Sequence, residues 1–159
     1  MTGLLCCILM FTQGCSSMEM TPYKELAKAF KQAQYDVPDY TQITGAQEEV
    51  LARYEKIKPY LTQESYYYLF RERSLVVTLG AARKQQCNIV VTSFQFEQES
   101  EADGGKTFTY SMTLELRNGQ GQVMEEIEVS AGQMEFAIQD GGLFIARDHD
   151  GNPLSSKYN

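Results

Sequence analysis

The chain of 159 residues predicts an α+β domain in which N-terminal helices pack on a curved four-stranded antiparallel sheet. Three observations predict it. Apolar residues recur at helical spacing through residues 21–86. From residue 87 to 148 the spacing changes to strict alternation. Turn signals rich in Gly, Asn and Asp then divide that second half into four strands. Helices followed by a run of strands is the layout of an α+β domain rather than of alternating βα units.

The helical half reads in order. Thr21 is placed as an N-cap, with Pro22 at the first helical position, where a missing N–H costs nothing. Tyr23, Leu26, Ala27 and Phe30 follow as an apolar stripe. The stretch YDVPDYTQI breaks the period at Pro38 and crosses the molecule as irregular chain. Thr44 and Gln47 have capping-box spacing for a second helix with the stripe Val50, Tyr54, Ile57 and Leu61, ended by Pro59. Thr62 caps a third helix carrying SYYYLF, and LVVTLGAARKQQ is read as a short fourth.

The strand half alternates. NIVVTSFQFEQE places Val90, Thr92, Phe94 and Phe96 on one face. TFTYSMTLELR places Phe108, Tyr110, Met112, Leu114 and Leu116 on one face. NGQG at 118–121 is a hairpin turn. The third strand runs Val123, Glu125, Ile127, Val129, Ala131, and its phase slips at Gly132 to Met134, Phe136 and Ile138. A slip of one residue at a Gly predicts a β-bulge. DGG turns the chain into LFIARD, and the polar residues 149–159 are expected to form a loose tail.

The N-terminus speaks to location. LLCCILMF at 4–11 is eight apolar residues in a row, the length of a signal h-region and well short of the ~20 residues of a membrane span. TQGCSS follows it and resembles a bacterial lipobox, although residues 1–11 hold no Lys or Arg and Thr12 and Gln13 depart from the motif. The resemblance implies a signal peptide over 1–14, lipidation of Cys15, a tether over 15–22 and a domain over 23–148. It also implies an extracytoplasmic protein held to the bacterial cell membrane through lipid on Cys15. Of the four cysteines, Cys87 alone remains after that processing, so no intrachain disulfide is expected.

Composition bounds the function. A net charge of −7 with dispersed basic residues argues against nucleic acid as a partner. The densest basic pairs are Arg71/Arg73 and Arg83/Lys84, read as solvated helix faces. The chain holds one histidine, His149, in the polar tail turn, and no Cys–His or Ser–His constellation is expected. DHDGN at 148–152 looks like the start of a Ca²⁺ loop, but Gly151 comes too early and no Glu follows. No cofactor or metal site is expected.

Residues 44–148 resemble the NTF2-like superfamily, a curved-sheet cone closed by helices. EEVLARYEKIKPYLTQESYYYLF is similar to its second and third helices, and GQGQVMEEIEVSAGQMEFAIQDGGLFIARD to its last hairpins. The family hosts isomerases and dehydratases beside many domains without activity, so the resemblance does not decide function. Its isomerase-like members use a carboxylate base, with a Tyr and a protonated acid as oxyanion hole. Here the in-phase face of the second strand holds no acid. Glu125 is the acid in phase with an apolar face, and it lies near a strand end.

The expected reading is therefore a lipid-anchored envelope domain without catalytic residues. It would hold a small apolar ligand or an envelope protein partner. The candidate pocket lining is Tyr54, Tyr66, Tyr67, Phe94, Phe108, Tyr110, Met112 and Phe136. The alternative is a cone-pocket isomerase or dehydratase, marked by a buried acid opposite a Tyr hydroxyl.

Overall fold

The computed structural model describes residues 16–102 and 105–158. Cys15 and the preceding apolar run lie outside the described residues. Helices α1 (Ser16–Tyr35), α2 (Gln47–Ile57), α3 (Gln63–Arg71) and α4 (Ser74–Gln85) come first. Strands β1 (Asn88–Ala102), β2 (Gly105–Arg117), β3 (Val123–Gln139) and β4 (Gly142–His149) follow, and a single turn, α5 (Ser155–Tyr158), closes the chain. The strands form one antiparallel meander in the order β1-β2-β3-β4. The α+β layout of helices before a four-stranded sheet is thus the observed one.

The core lies between the helices and one face of the sheet. All five in-phase residues of β2, Phe108, Tyr110, Met112, Leu114 and Leu116, are buried. The rings that cover this face come from α1 and β1. Tyr23 packs on Phe108 and Phe136, and Phe96 stacks on Phe108 at 4.3 Å between centroids. Irregular chain bridges each sheet edge at one point. Val37 and Ile89 exchange backbone hydrogen bonds along β1, and the Thr62 N–H donates to the Ile145 carbonyl on β4.

The local chemistry departs from the sequence expectations at several places. α1 starts at Ser16, upstream of Thr21, and carries Pro22 inside it, so the segment expected as a tether is largely helical. α2 has no side-chain cap from Thr44. Instead the Glu49 carboxylate folds back and accepts from the N–H groups of Thr44 and Gly45. Glu49 in the first turn also complements the helix dipole. Thr62 does cap α3, accepting from the Ser65 N–H at 3.2 Å.

On β1 the register shifts between Val91 and Ser93. That bulge puts Ile89 and Val91 inside before Phe94, in place of Val90 and Thr92. On β3 the phase slip is real. Gly132 faces Tyr110 while Val129 faces Met112, so Ser130 and Ala131 together oppose a single residue of β2. The bulge is at Ser130–Ala131, and Gly132 is the first inward position after it. Ile138, expected inside, is 72% exposed near the end of β3.

The C-terminal segment is not loose. Leu154 is completely buried and Tyr158 packs over Gly80 of α4. The carbonyls of Tyr158 and Lys157 accept from Lys84 and Gln85, and Lys157 pairs with Glu125. A polar segment docks here because one large apolar side chain, Leu154, fills a slot in the core.

Gly132 tests this geometry. A Cβ built there would stand 2.3 Å from Cζ of Tyr110, on the ring rather than on a flexible chain end. Gly132→Ala is therefore expected to destabilise the domain by about 1–3 kcal/mol, the usual cost of overpacking a core. Urea denaturation checks it, and an unchanged midpoint would mean the ring is not seated on this glycine.

Candidate functional site

Two buried polar residues of α1, Lys31 and Gln34, meet buried carboxylates at one place. Lys31, Gln34 and Tyr35 lie three and four residues apart on α1, and this spacing puts them on the same face of the helix. That face meets the middle of β2 and the end of β4. Lys31 is completely buried. Its Nζ lies 2.6 Å from Asp148 Oδ2 and 2.7 Å from Asp150 Oδ2, and it donates to Gln34 Oε1 at 3.2 Å. Tyr110 donates its hydroxyl to Asp148 Oδ1 at 2.8 Å, and Tyr35 donates to Asp150 Oδ2 at 2.5 Å. The ammonium also sits 5.1 Å from the centre of the Tyr110 ring, within cation–π range. The N–H of Asn152 donates to Asp150 Oδ1.

Local sequence explains each placement. Asp148 lies near the end of β4 and Asp150 in the segment just after it, and both reach Lys31. Gly132, paired with Tyr110 across the sheet, leaves the space in which the Tyr110 ring lies. With that space the hydroxyl reaches Asp148.

One ammonium faces two carboxylates in a dry interior, and their protonation shifts accordingly. Burial, reinforced by the neighbouring Asp150, pushes the Asp148 carboxyl up, against the opposing pull of Lys31. Burial also raises Asp150, but the Lys31 charge and the hydrogen bonds from Lys31, Tyr35 and the Asn152 N–H bring it below the ordinary carboxylate value. Burial alone would lower Lys31; the two carboxylates more than reverse this and raise it. Burial, with Asp148 and Asp150 nearby, raises the hydroxyls of Tyr35 and Tyr110. Asp148 is thus pushed up and Asp150 brought down, although both carboxylates face the same ammonium.

A cavity of about 320 Å³ opens beside the cluster, with Gln34, Tyr35, Glu72, Asp148, Asp150 and Asn152 in its wall. The Asp148 side chain is only 2% exposed, so little of it reaches that space. Among the described residues no group of three His, Cys, Asp or Glu side chains is placed to hold a metal.

The residues expected to line a pocket divide into two sets. Phe94, Phe108, Tyr110, Met112 and Phe136 are together on the inner sheet face, packed ring against ring. Tyr54 is buried elsewhere, between α2 and α3, donating to the Leu69 carbonyl. Tyr66 bonds Glu55 at the surface, and Tyr67 is 56% exposed. Lys31, Tyr35, Asp148 and Asp150 were missed. Their signal was a lysine next to Phe30 on the apolar stripe of α1, and a pair of aspartates two apart where the last strand meets the expected tail.

No family model and no curated protein matches the chain. Among solved structures, a periplasmic fragment of TraM is similar, at 15% identity and a TM-score of 0.45, over 78% of this chain and 93% of that one. A likeness at that level says nothing further about this chain.

The cluster fixes a pH response. Lys31, Tyr35 and Tyr110 all hold their protons more tightly folded than unfolded, where they titrate near ~10. Above that value the unfolded chain binds fewer protons, so stability falls as pH rises, by about 1.4 kcal/mol per proton per pH unit and up to about 4 for three. Thermal melts between about pH 9 and 11 check this slope. Lys31→Met should flatten it by about one proton and cost about 3–5 kcal/mol near neutrality, because two buried carboxylates then lose their counter-charge.

Proposed function

We propose that the chain is a lipid-anchored cell-envelope domain of the NTF2-like kind, tethered through Cys15, that binds a partner and does no chemistry in its cone. One observation carries the non-catalytic part of this reading. The buried acid and hydroxyl that an isomerase would use are engaged with each other and with Lys31. A base must meet the proton it abstracts, and an oxyanion donor must aim at the reacting oxygen. Asp148 and Tyr110 aim at each other, and Lys31 closes the remaining side. The rest of the inner sheet face is packed with aromatic rings, which supports a filled cone.

The isomerase or dehydratase reading is favoured by one specific fact. The Asp148–Tyr110 pair is a raised carboxyl beside a Tyr hydroxyl at the wall of a cavity. That combination matches the acid and hydroxyl of an oxyanion hole. Asp150 is held by Lys31 and Tyr35 and is not free to act as base, which leaves Glu72 as the other carboxylate in that wall.

Two measurements test the proposal. Cys15→Ala should abolish labelling by a fatty-acid analogue and leave the precursor uncleaved; labelling that survives the change would rule out the anchor. Met112→Ala should cost about 2–5 kcal/mol, as expected for a filled core, with no apolar dye bound in the wild type. Saturable dye binding that Tyr110→Trp removes would instead give the cone an open ligand site.

A further inference from the structure

A second feature lies where α2 meets the joint between α3 and α4. Val50, Leu51 and Tyr54 of α2, Phe70 at the end of α3 and Val76 of α4 form the apolar floor and walls of an open groove of about 660 Å³. Leu51 is 40% exposed and Phe70 is 43% exposed, so the apolar surface is in water. The charged side chains that line it are Arg71 and Arg73, and no carboxylate does. Among the described residues neither guanidinium takes part in an ion pair. In a chain of net charge −7, two unpaired arginines meet at an apolar groove.

We infer that this groove docks an acidic segment of a partner protein, with one apolar side chain seated between Leu51 and Phe70 and flanking carboxylates on Arg71 and Arg73. The inference rests on the binding reading above and names the chemistry of the partner. Charge complementarity selects the occupant. Arginine forks match carboxylates bidentately, and aromatic residues with Arg are the side chains enriched where interfaces concentrate their energy. Openness selects a chain segment over a small molecule. A small ligand is usually held with most of its surface buried, and a groove whose walls are this exposed does not enclose one. A peptide runs on past the rim and buries its area along the surface.

Arg73 allows fold and binding to be tested apart. It joins α3 to α4 with φ 54, a left-handed backbone that glycine adopts more readily than arginine. Arg73→Gly therefore removes the guanidinium without straining the joint.

The probe is a short labelled peptide with Asp and Glu around a single Phe, titrated against the full chain at low salt and followed by fluorescence anisotropy. Two matched peptides accompany it, one with Lys at every acidic position and one with Ser for Phe. The acidic peptide should bind and weaken steeply with salt. Both matched peptides, and the variants Arg71→Glu and Arg73→Glu, should bind about tenfold more weakly or worse. Arg73→Gly should lose affinity with its melting temperature unchanged or raised. Equal binding of the Lys peptide, unaltered affinity in both arginine variants, or saturable binding of dodecanoate in place of the peptide would each overturn the inference. A photocrosslinker at position 51 in cells separates the two levels. Crosslinks to a partner with no acidic-peptide binding would leave the binding reading standing and remove this one. No crosslink and no peptide binding would remove both.

Discussion

The Lys31 ammonium, buried between Asp148 and Asp150, constrains the rest of the molecule. A charge without access to water needs counter-charge and hydrogen bonds on every side, because the desolvation cost is several kcal/mol per ion. Here the partners come from four places in the chain. α1 supplies Lys31 and Tyr35, the middle of β2 supplies Tyr110, the end of β4 supplies Asp148, and the segment after it supplies Asp150. Each partner is satisfied only when the others are in position. These directional contacts join α1 to β2, to β4 and to the segment after it. The cluster thus fixes how α1 lies across the sheet.

The sheet is shaped to permit that cluster. The bulge at Ser130–Ala131 brings Gly132, rather than a side chain, beneath the Tyr110 ring. The ring can then lie against the sheet with its hydroxyl reaching Asp148. Past Asp148 the chain bends, Asp150 folds onto Tyr35 and Lys31, and Leu154 enters the core. The end of the chain is therefore held by two unlike interactions in succession, one electrostatic and one apolar. Its polar composition hid both.

How much of this was legible follows from which forces have a local signature. β2 was read without error because a central strand buried on one face must alternate, and its five inward residues do so. The Thr62 cap and the phase slip on β3 were legible for the same reason, since each acts within a few residues. The β1 face was misread because the bulge after Val91 has no glycine to announce it. Its backbone is set by a distant group: the Asp36 carboxylate accepts from the Val91 N–H at 2.7 Å across 55 positions. The ion cluster spans 117 positions between Lys31 and Asp148, and nothing within either local window demands the other. Tyr54 and Tyr67 were placed with the sheet rings because helical periodicity gives a face, not the element that face meets.

The two charged features differ in what they leave for a partner. Inside the domain, Lys31, Asp148 and Asp150 satisfy one another, and the Tyr35 and Tyr110 hydroxyls complete their hydrogen bonding. A ligand arriving there would first have to break those contacts, and the loss would offset whatever it gained. At the α2–α3–α4 groove the arginines are still in water and Leu51 and Phe70 are still uncovered. An incoming carboxylate there displaces only solvent, and the apolar side chain beside it covers surface that folding left exposed. The interior cluster thus has its polar groups satisfied within the fold, whereas the proposed docking groove leaves both arginines and its apolar walls in water.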